Sequence, residues 1–364
     1  MGENSEHGKI IAYSLIFISL ILLLGVLYVA RSILIPFAIA VILSYLLYPV
    51  VAFLNRHRVP YALAVTIVIA FLLALLVTGG VFLVGEANSF AQSLPSYLSG
   101  LQVYIQKVST AYDNLVRKVG EVLPGLTFAE TQPVSFSRLL SGLISQLFST
   151  LLGLIGIFSN SVIVLFMLIL ILIDARVFKT KILNAWGEHN RMQAGRIVEE
   201  LNRSIQGFLV IRTLINLVLA VVVTLVLLLL GVDYAYIWGP LTGLLNFIPY
   251  IGAVVSAFPP ILVSLATHDS FLMPVLVAAA YVVIQNVEGN YLSPRLIGNR
   301  VNLNSLTVLL GLIVWGFIWG PIGMVISTPL TTCFKIVCDH VELLKPIGVL
   351  LGGNKPEADP GKPA

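Results

Sequence analysis

Several polar residues lie where the chain is otherwise apolar. Gln285, Asn286, Glu288 and Asn290 cluster at and just beyond the end of an uncharged run from Ser270 to Val287. Asn246 lies inside a second run, Tyr234–Thr267, shortly before Pro249 and Tyr250. In a third, Val301–Phe334, the hydroxyls of Ser327, Thr328, Thr331 and Thr332 surround Pro329. Asn216 and Thr224 are further polar residues in a run from Thr213 to Val232. Polar groups at membrane depth are costly and tend to mark solute or ion paths. Amides and hydroxyls suit a neutral hydroxylated solute better than an ion. The candidate substrate-binding residues are therefore Asn246, Pro249, Tyr250, Gln285, Asn286, Asn290, Thr328 and Pro329. Glu288 offers a different chemistry: it could titrate, pair with Arg295, coordinate a cation, or sit exposed at the interface. With Asp233 and Asp269 at span ends and Arg212 at the mouth of a span, it makes up the ion-coupling candidates. An arginine so placed more often snorkels to the interface than serves a site.

The elements that position these groups are expected to be interrupted helices. Ile237-Trp238-Gly239-Pro240 recurs as Ile318-Trp319-Gly320-Pro321; Gly243 or Gly323 follows, and then Pro249 or Pro329. Paired Gly/Pro-interrupted apolar segments point to a transporter's binding site, because a broken helix frees backbone groups at membrane depth. A simple kink or a chance match would read the same way. Breaks are expected at Gly239, Pro240, Gly252, Pro294, Gly298, Gly320, Pro321 and Gly323. The runs Tyr234–Thr267 and Val301–Phe334 are too long for one upright helix, so each is either a tilted broken helix or a re-entrant hairpin.

Composition sets the frame. Of 364 residues, 58% are hydrophobic and 10% charged, and the mean hydropathy is +0.98. A soluble domain carries about 25% charged residues, so an ordinary cytosolic enzyme and a disordered chain are both excluded. Uncharged runs of membrane-spanning length predict an all-α polytopic membrane protein of about eight helices. The run Ile10–Ala30 is read as a retained first helix rather than a cleaved signal. The net charge of +4 comes with no arginine- or lysine-rich cluster among aromatics, so nucleic acid is not an expected partner. Nucleotide-binding, nucleophile-elbow and zinc-protease signatures are absent, and Cys333 and Cys338 read as packing residues. No enzymatic activity, cofactor or metal site is expected.

Lys and Arg set the orientation. With eight spans and the N-terminus inside, 14 of the 21 basic residues fall on the cytoplasmic side, which makes both termini cytoplasmic in the cell membrane. The expected organisation is three N-terminal helices (1–85), an extracytoplasmic amphipathic helical domain (86–150), a fourth helix (151–173) and a cytoplasmic helical segment (174–212). A C-terminal region of broken helices (213–345) and a disordered tail (346–364) complete it. In the extracytoplasmic domain a helix is expected to begin near Pro95 and stop at Pro124-Gly125. In the cytoplasmic segment Ile197, Leu201, Ile205 and Phe208 share one stripe.

Leu244 through Gly252 resembles the Phe-Ile-Pro-Tyr-Ile/Val-Gly motif of the autoinducer-2 exporter family, the PerM-like permeases. Glu288 through Gly298 is similar to that family's Glu-x-Asn-x-x-x-Pro-x-x-x-Gly stretch. Val301-Asn302-Leu303-Asn304, and Trp319 through Leu330, also fit it. Ser305 departs from it, since members often carry Pro there. The resemblance implies an eight-span protein, a homo-oligomer (a pentamer is the expectation), and one of two activities. One is export of autoinducer-2 or similar small polar solutes by alternating access; the other is sodium(lithium)/proton antiport. A membrane scaffold acting through the helical domains and transporting nothing is the reading from another class.

Overall fold

A computed structural model describes residues 22–122, 161–185, 187–268, 270–298 and 301–353, together with 14, 18 and 19. Among the described residues every regular element is helical, as lipid demands of a backbone that must satisfy its own hydrogen bonds. The helices are α1 (22–29), α2 (Arg31–Arg56), α3 (Tyr61–Val122), α4 (Ser161–Ala185), α5 (Gly187–Leu229), α6 (Ala235–Leu245), α7 (Ile251–Thr267), α8 (Leu272–Val287), α9 (Ser293–Ile297), α10 (Ser305–His340) and α11 (Lys345–Leu351). Five described segments are long and apolar enough to cross a membrane: Arg31–Arg56, Tyr61–Leu101, Gly195–Leu229, Leu272–Ile297 and Ser305–His340. Large apolar side chains such as Phe71, Val81, Phe166, Leu229 and Phe317 point outward, as they do when the solvent is hydrocarbon.

Several helices outrun the spans expected from charge alone. α3 does not end at Gly85 or restart at Pro95; it continues through Pro95 to Val122, 62 residues or about 93 Å. Likewise α5 joins the polar segment to the apolar run in 43 residues without interruption. Its stripe of Leu201, Ile205 and Phe208 packs against Ile42, Tyr45, Ile297, Val301 and Cys333, and the Tyr45 hydroxyl donates to Asn202 Oδ1 at 2.7 Å. α2, α3 and α4 share a separate core around Ala40, Val65 and Leu168.

Both long apolar runs are hairpins. α6 packs antiparallel on α5 with little space between them: a Cβ on Gly239 would meet Thr224 and the Ala220 carbonyl, and one on Gly243 would meet the Asn216 carbonyl. Two glycines four residues apart are a general means of bringing membrane helices together. Gly239 and Pro240 therefore lie inside a continuous helix and make no break, contrary to expectation. The chain turns later, over Asn246–Tyr250, where Tyr250 adopts φ 63°. Gly252 then lies against the Leu245 carbonyl and the Asn246 Cα, a space that admits no side chain.

α10 turns at Gly320, whose φ of 65° and ψ of −147° are open to glycine and not to a bulky residue. Its halves, 305–319 and 321–340, fold back on each other. Gly311 meets Thr331, Gly316 meets Met324, and Gly323 meets the Trp315 carbonyl. Trp315 Nε1 donates to Thr331 Oγ1 at 3.3 Å. Pro329, expected near a break, sits buried inside the second half. The repeated tetrapeptide is thus not structurally equivalent: its glycine makes a close helix contact in the first copy and the turn in the second.

The two hairpins open in opposite directions. The passage Leu272–Ile297 connects the open end of the first, at Thr267, to that of the second, at Ser305. Its 26 residues span about 39 Å, more than the roughly 30 Å of hydrocarbon. The passage contains a π-turn, Glu288–Leu292. Pro294 occupies the first turn of α9 and Gly298 (φ 53°) ends it. The tip of the second hairpin is fixed by Trp319 Nε1, which donates to the Leu27 carbonyl at 3.0 Å.

The departure at Ser305 is harmless. Asn304 caps α10 by accepting from the Thr307 amide at 2.7 Å, and Ser305 holds the first helical position, where Pro is also accommodated. Asn304 also donates to the carbonyls of Leu350 (2.8 Å) and Gly352 (3.2 Å). The tail expected to be disordered from 346 is helical at its start, over Lys345–Leu351; residues 354–364 lie outside the described ones.

The second hairpin makes a sharp prediction. With Cys333→Ala and Cys338→Ala as background, Gly311→Cys and Thr331→Cys together form a disulfide under mild oxidation, read as a gel shift after cleavage between them. In an unbroken helix these positions would be about 30 Å apart, and no cross-link would form.

Candidate functional site

The turn of the first hairpin reaches α5 and the π-turn at one level, and a charged cluster forms there. Arg212 Nη1 donates to Glu288 Oε1 at 2.7 Å, with the side chains 12% and 9% exposed. Arg212 Nη2 donates to the backbone carbonyl of Asn246 at the hairpin turn. Ser293, on α9, donates through Oγ to Glu288 Oε1 at 2.5 Å and accepts from Arg212 Nη1 at 3.2 Å. One guanidinium thus ties three elements: its own helix, the hairpin turn and the π-turn. Arg212 does not snorkel, and its ionic partner is Glu288. Glu288 is buried rather than interfacial, and Arg295 is exposed.

The local sequence explains the meeting. A carbonyl near a helix break has lost its intrahelical donor, so the Asn246 oxygen is open to the guanidinium. A π-turn adds a residue to one helical turn and is frequent at functional sites; here Glu288 is buried while Gly289, Asn290 and Tyr291 face outward. Opposite charges in a medium of low dielectric attract strongly, but each has lost its water, so the pair is sensitive to the loss of either member.

One helical turn from the ion pair, Asn246 Nδ2 donates to Asn216 Oδ1 at 3.0 Å. A further turn along, Thr242 Oγ1 and Tyr281 Oη lie 3.0 Å apart, and Thr242 also donates to the Trp238 carbonyl. Gln285 occupies the same face of α8, between Tyr281 and Glu288. These groups form a polar column between α5, α6 and α8. Asn216 and Ser293 were legible only as a polar residue in an apolar run and as one position of a longer motif.

Other candidates lie elsewhere. Asn286 and Asn290 are exposed and bonded to each other at 3.1 Å, with Asn286 also donating to the Val282 carbonyl. Pro249 and Tyr250 form the hairpin turn, and Tyr250 is exposed. Thr328 is buried in the second hairpin, where its carbonyl accepts from Thr332 at 2.7 Å. Asp233 lies beyond the far end of α5, at least 17 helical residues or about 25 Å along the axis from Arg212. There it accepts from the Tyr97 hydroxyl at 3.1 Å, beside Phe90, Tyr234 and Trp238. Asp269 lies outside the described residues. Among the described residues no group of His, Cys, Asp and Glu is arranged to hold a metal ion.

The ion pair yields a stability prediction. Arg212→Ala or Glu288→Ala, by stranding a buried charge, lowers stability by about 3–5 kcal/mol. Arg212→Met combined with Glu288→Leu recovers most of that loss. The measurement is the thermal midpoint of the detergent-purified protein.

Comparison with known proteins gives the architecture a lineage. Residues 17–342 match the family described as AI-2E family transporter. The chain is 31% identical over 328 residues to the AI-2 transport protein TqsA of Escherichia coli K12, covering 88% of this chain and 90% of that protein. It is 29% identical over 344 residues to YhhT of the same strain, covering 93% and 94%. With YrrI of Bacillus subtilis it shares 21% over 320 residues, covering 86% and 87%. The match runs almost the full length of the chain and takes in both hairpins, α5 and the π-turn: this protein is a member of the AI-2E transporter family.

Proposed function

We propose that this protein is a secondary exporter of small polar solutes of the autoinducer-2 kind, working by alternating access. The observation that carries the reading is the first hairpin, whose turn is fastened to α5 and the π-turn through Arg212 and Glu288 at the end of a polar column. Interrupted helices around a polar site are the common ground plan of secondary carriers. The similarity to a protein named for AI-2 transport supports the choice of substrate, and the lack of a nucleotide-binding motif favours a passive or ion-driven step. In this reading both termini are cytoplasmic, and because each hairpin returns to the side it entered, the eight spans of the cell membrane expected from the sequence become six. The proposed partners are membrane lipid, the solute and further copies of the same chain in a pentamer. The order of regions read from the sequence is part of the same proposal, with α3 and α5 running across the limits at 85 and 212 and the helix Lys345–Leu351 replacing the start of the tail.

A second reading, sodium(lithium)/proton antiport, draws on the buried carboxylate of Glu288. The geometry favours it less. A carboxylate already engaged by a guanidinium and a hydroxyl has to give up both to exchange a proton for a cation. Asp233, offered as a partner, belongs to a different part of the molecule.

Purified protein in liposomes separates the two. The proposal expects saturable movement of autoinducer-2, reduced at least tenfold by Glu288→Gln, with no proton-coupled sodium flux. Liposomes that exchange sodium for protons in a Glu288-dependent manner and leave autoinducer-2 where it is would support the antiporter. For topology, alkaline phosphatase fused after Ala364 stays inactive in the proposed orientation and becomes active in the inverted one.

A further inference from the structure

Two amide groups in the polar column are buried without a partner: Asn216 Nδ2 and Gln285 Nε2. Asn216 is 3% exposed and uses only its oxygen, as acceptor for Asn246. The helix register puts the two amides at one depth. Arg212 pairs with Glu288; Asn216 lies four residues beyond Arg212 on α5, and Gln285 three residues before Glu288 on α8. Because the helices run in opposite directions, both lie about 4.5–6 Å along the axes from the ion pair toward the Asp233 end. One turn further, Leu219 of α5 and Tyr281 of α8 meet in a shared core. Asn246, bonded to Asn216 through its side chain and to Arg212 through its carbonyl, lies between them.

An unsatisfied buried donor carries the full desolvation cost of its group with nothing to offset it. Two open donors at one level of the same polar column imply an occupant rather than a defect; the third buried side-chain atom without a partner among the described residues, Ser264 Oγ, lies on α7. We propose that Asn216 and Gln285 form the donor side of a solute subsite, which takes a small uncharged molecule through its carbonyl or hydroxyl oxygens. The occupant is uncharged because the adjacent charges cancel, leaving neither a free cation for an acid nor a free carboxylate for an amine. It presents acceptors because both open groups are NH2 donors. The inference rests on the exporter reading and sharpens it by separating recognition, at the amides, from the Arg212–Glu288 pair that holds the hairpin.

The test uses full-length protein in detergent and in liposomes, with autoinducer-2 as probe. The variants are Gln285→Leu, near-isosteric Gln285→Glu, and Asn216→Asp, which keeps the acceptor for Asn246. In the wild type, saturating autoinducer-2 raises the thermal midpoint and is transported. In Gln285→Leu and Asn216→Asp the apparent Kd and KM rise about tenfold, the loss of one good hydrogen bond to the solute. The ligand-free midpoint of Gln285→Leu stays level or rises, because an unpaired donor has gone; a purely structural glutamine would lower it. Gln285→Glu, with donor replaced by acceptor, loses affinity like Gln285→Leu. If the variants keep wild-type Kd and KM while the wild type transports, the subsite is wrong and the exporter reading stands. If the wild type neither moves autoinducer-2 nor is stabilised by it, the exporter reading fails and the subsite with it.

Discussion

A guanidinium and a carboxylate buried between apolar helices constrain everything around them. Neither can be left alone in a medium of low dielectric, and once paired they still have donors and lone pairs to satisfy. Arg212 meets this demand with Glu288, the Asn246 carbonyl and Ser293. The Asn246 carbonyl is open because the helix stops there, and Glu288 and Ser293 meet at one level because a π-turn lies between them. The hairpin turn, the π-turn and the ion pair are therefore one arrangement. If the hairpin ran on as a straight helix, the guanidinium would lose a ligand; if the π-turn relaxed to α geometry, the spacing of Glu288 and Ser293 would change.

The close contact of α6 with α5 makes this geometry possible. Gly239 and Gly243 let α6 approach until its end lies beside Asn216, and Gly252 lets α7 leave the turn against the Leu245 carbonyl. The second hairpin uses the same device at Gly311, Gly316 and Gly323. In hydrocarbon no hydrophobic gain drives helices together, so close backbone packing and hydrogen bonds between helices take its place. The two hairpins, opening in opposite directions, bring interrupted helices deep into the molecule from both ends, a suitable basis for a site reached first from one side and then from the other.

Much of this was legible in the residues. Apolar runs and the sparse charges gave the membrane class, and proline and glycine marked the two runs that turn back. The chemistry of Glu288, Asn246 and Gln285 stood out because amides and acids are rare among such neighbours. What failed was local reading of features whose meaning is tertiary. Gly239-Pro240 and Gly320-Pro321 are the same dipeptide, yet one fits a helix crossing and the other makes a turn; the difference lies in Ala220 and Thr224, which pack on the first. The pairing of Arg212 with Glu288 joins residues 76 positions apart, and only the antiparallel register of α5 and α8 selects it over the nearer Arg295. The continuity of α3 through Pro95 was hidden for a similar reason, because a proline compatible with a helix start is also tolerated within a long helix that accepts a kink.

The claim on which the account depends is that the first hairpin's turn lines a path that water and solute reach from each side in alternation. Thiol accessibility tests it most directly. In a cysteine-free protein carrying Phe247→Cys at the turn, a membrane-impermeant thiol reagent is applied to right-side-out and to inverted vesicles, with and without autoinducer-2. The account predicts labelling from both sides, with autoinducer-2 shifting the balance between them. A thiol that is inert from both sides, with solute or without, would contradict it.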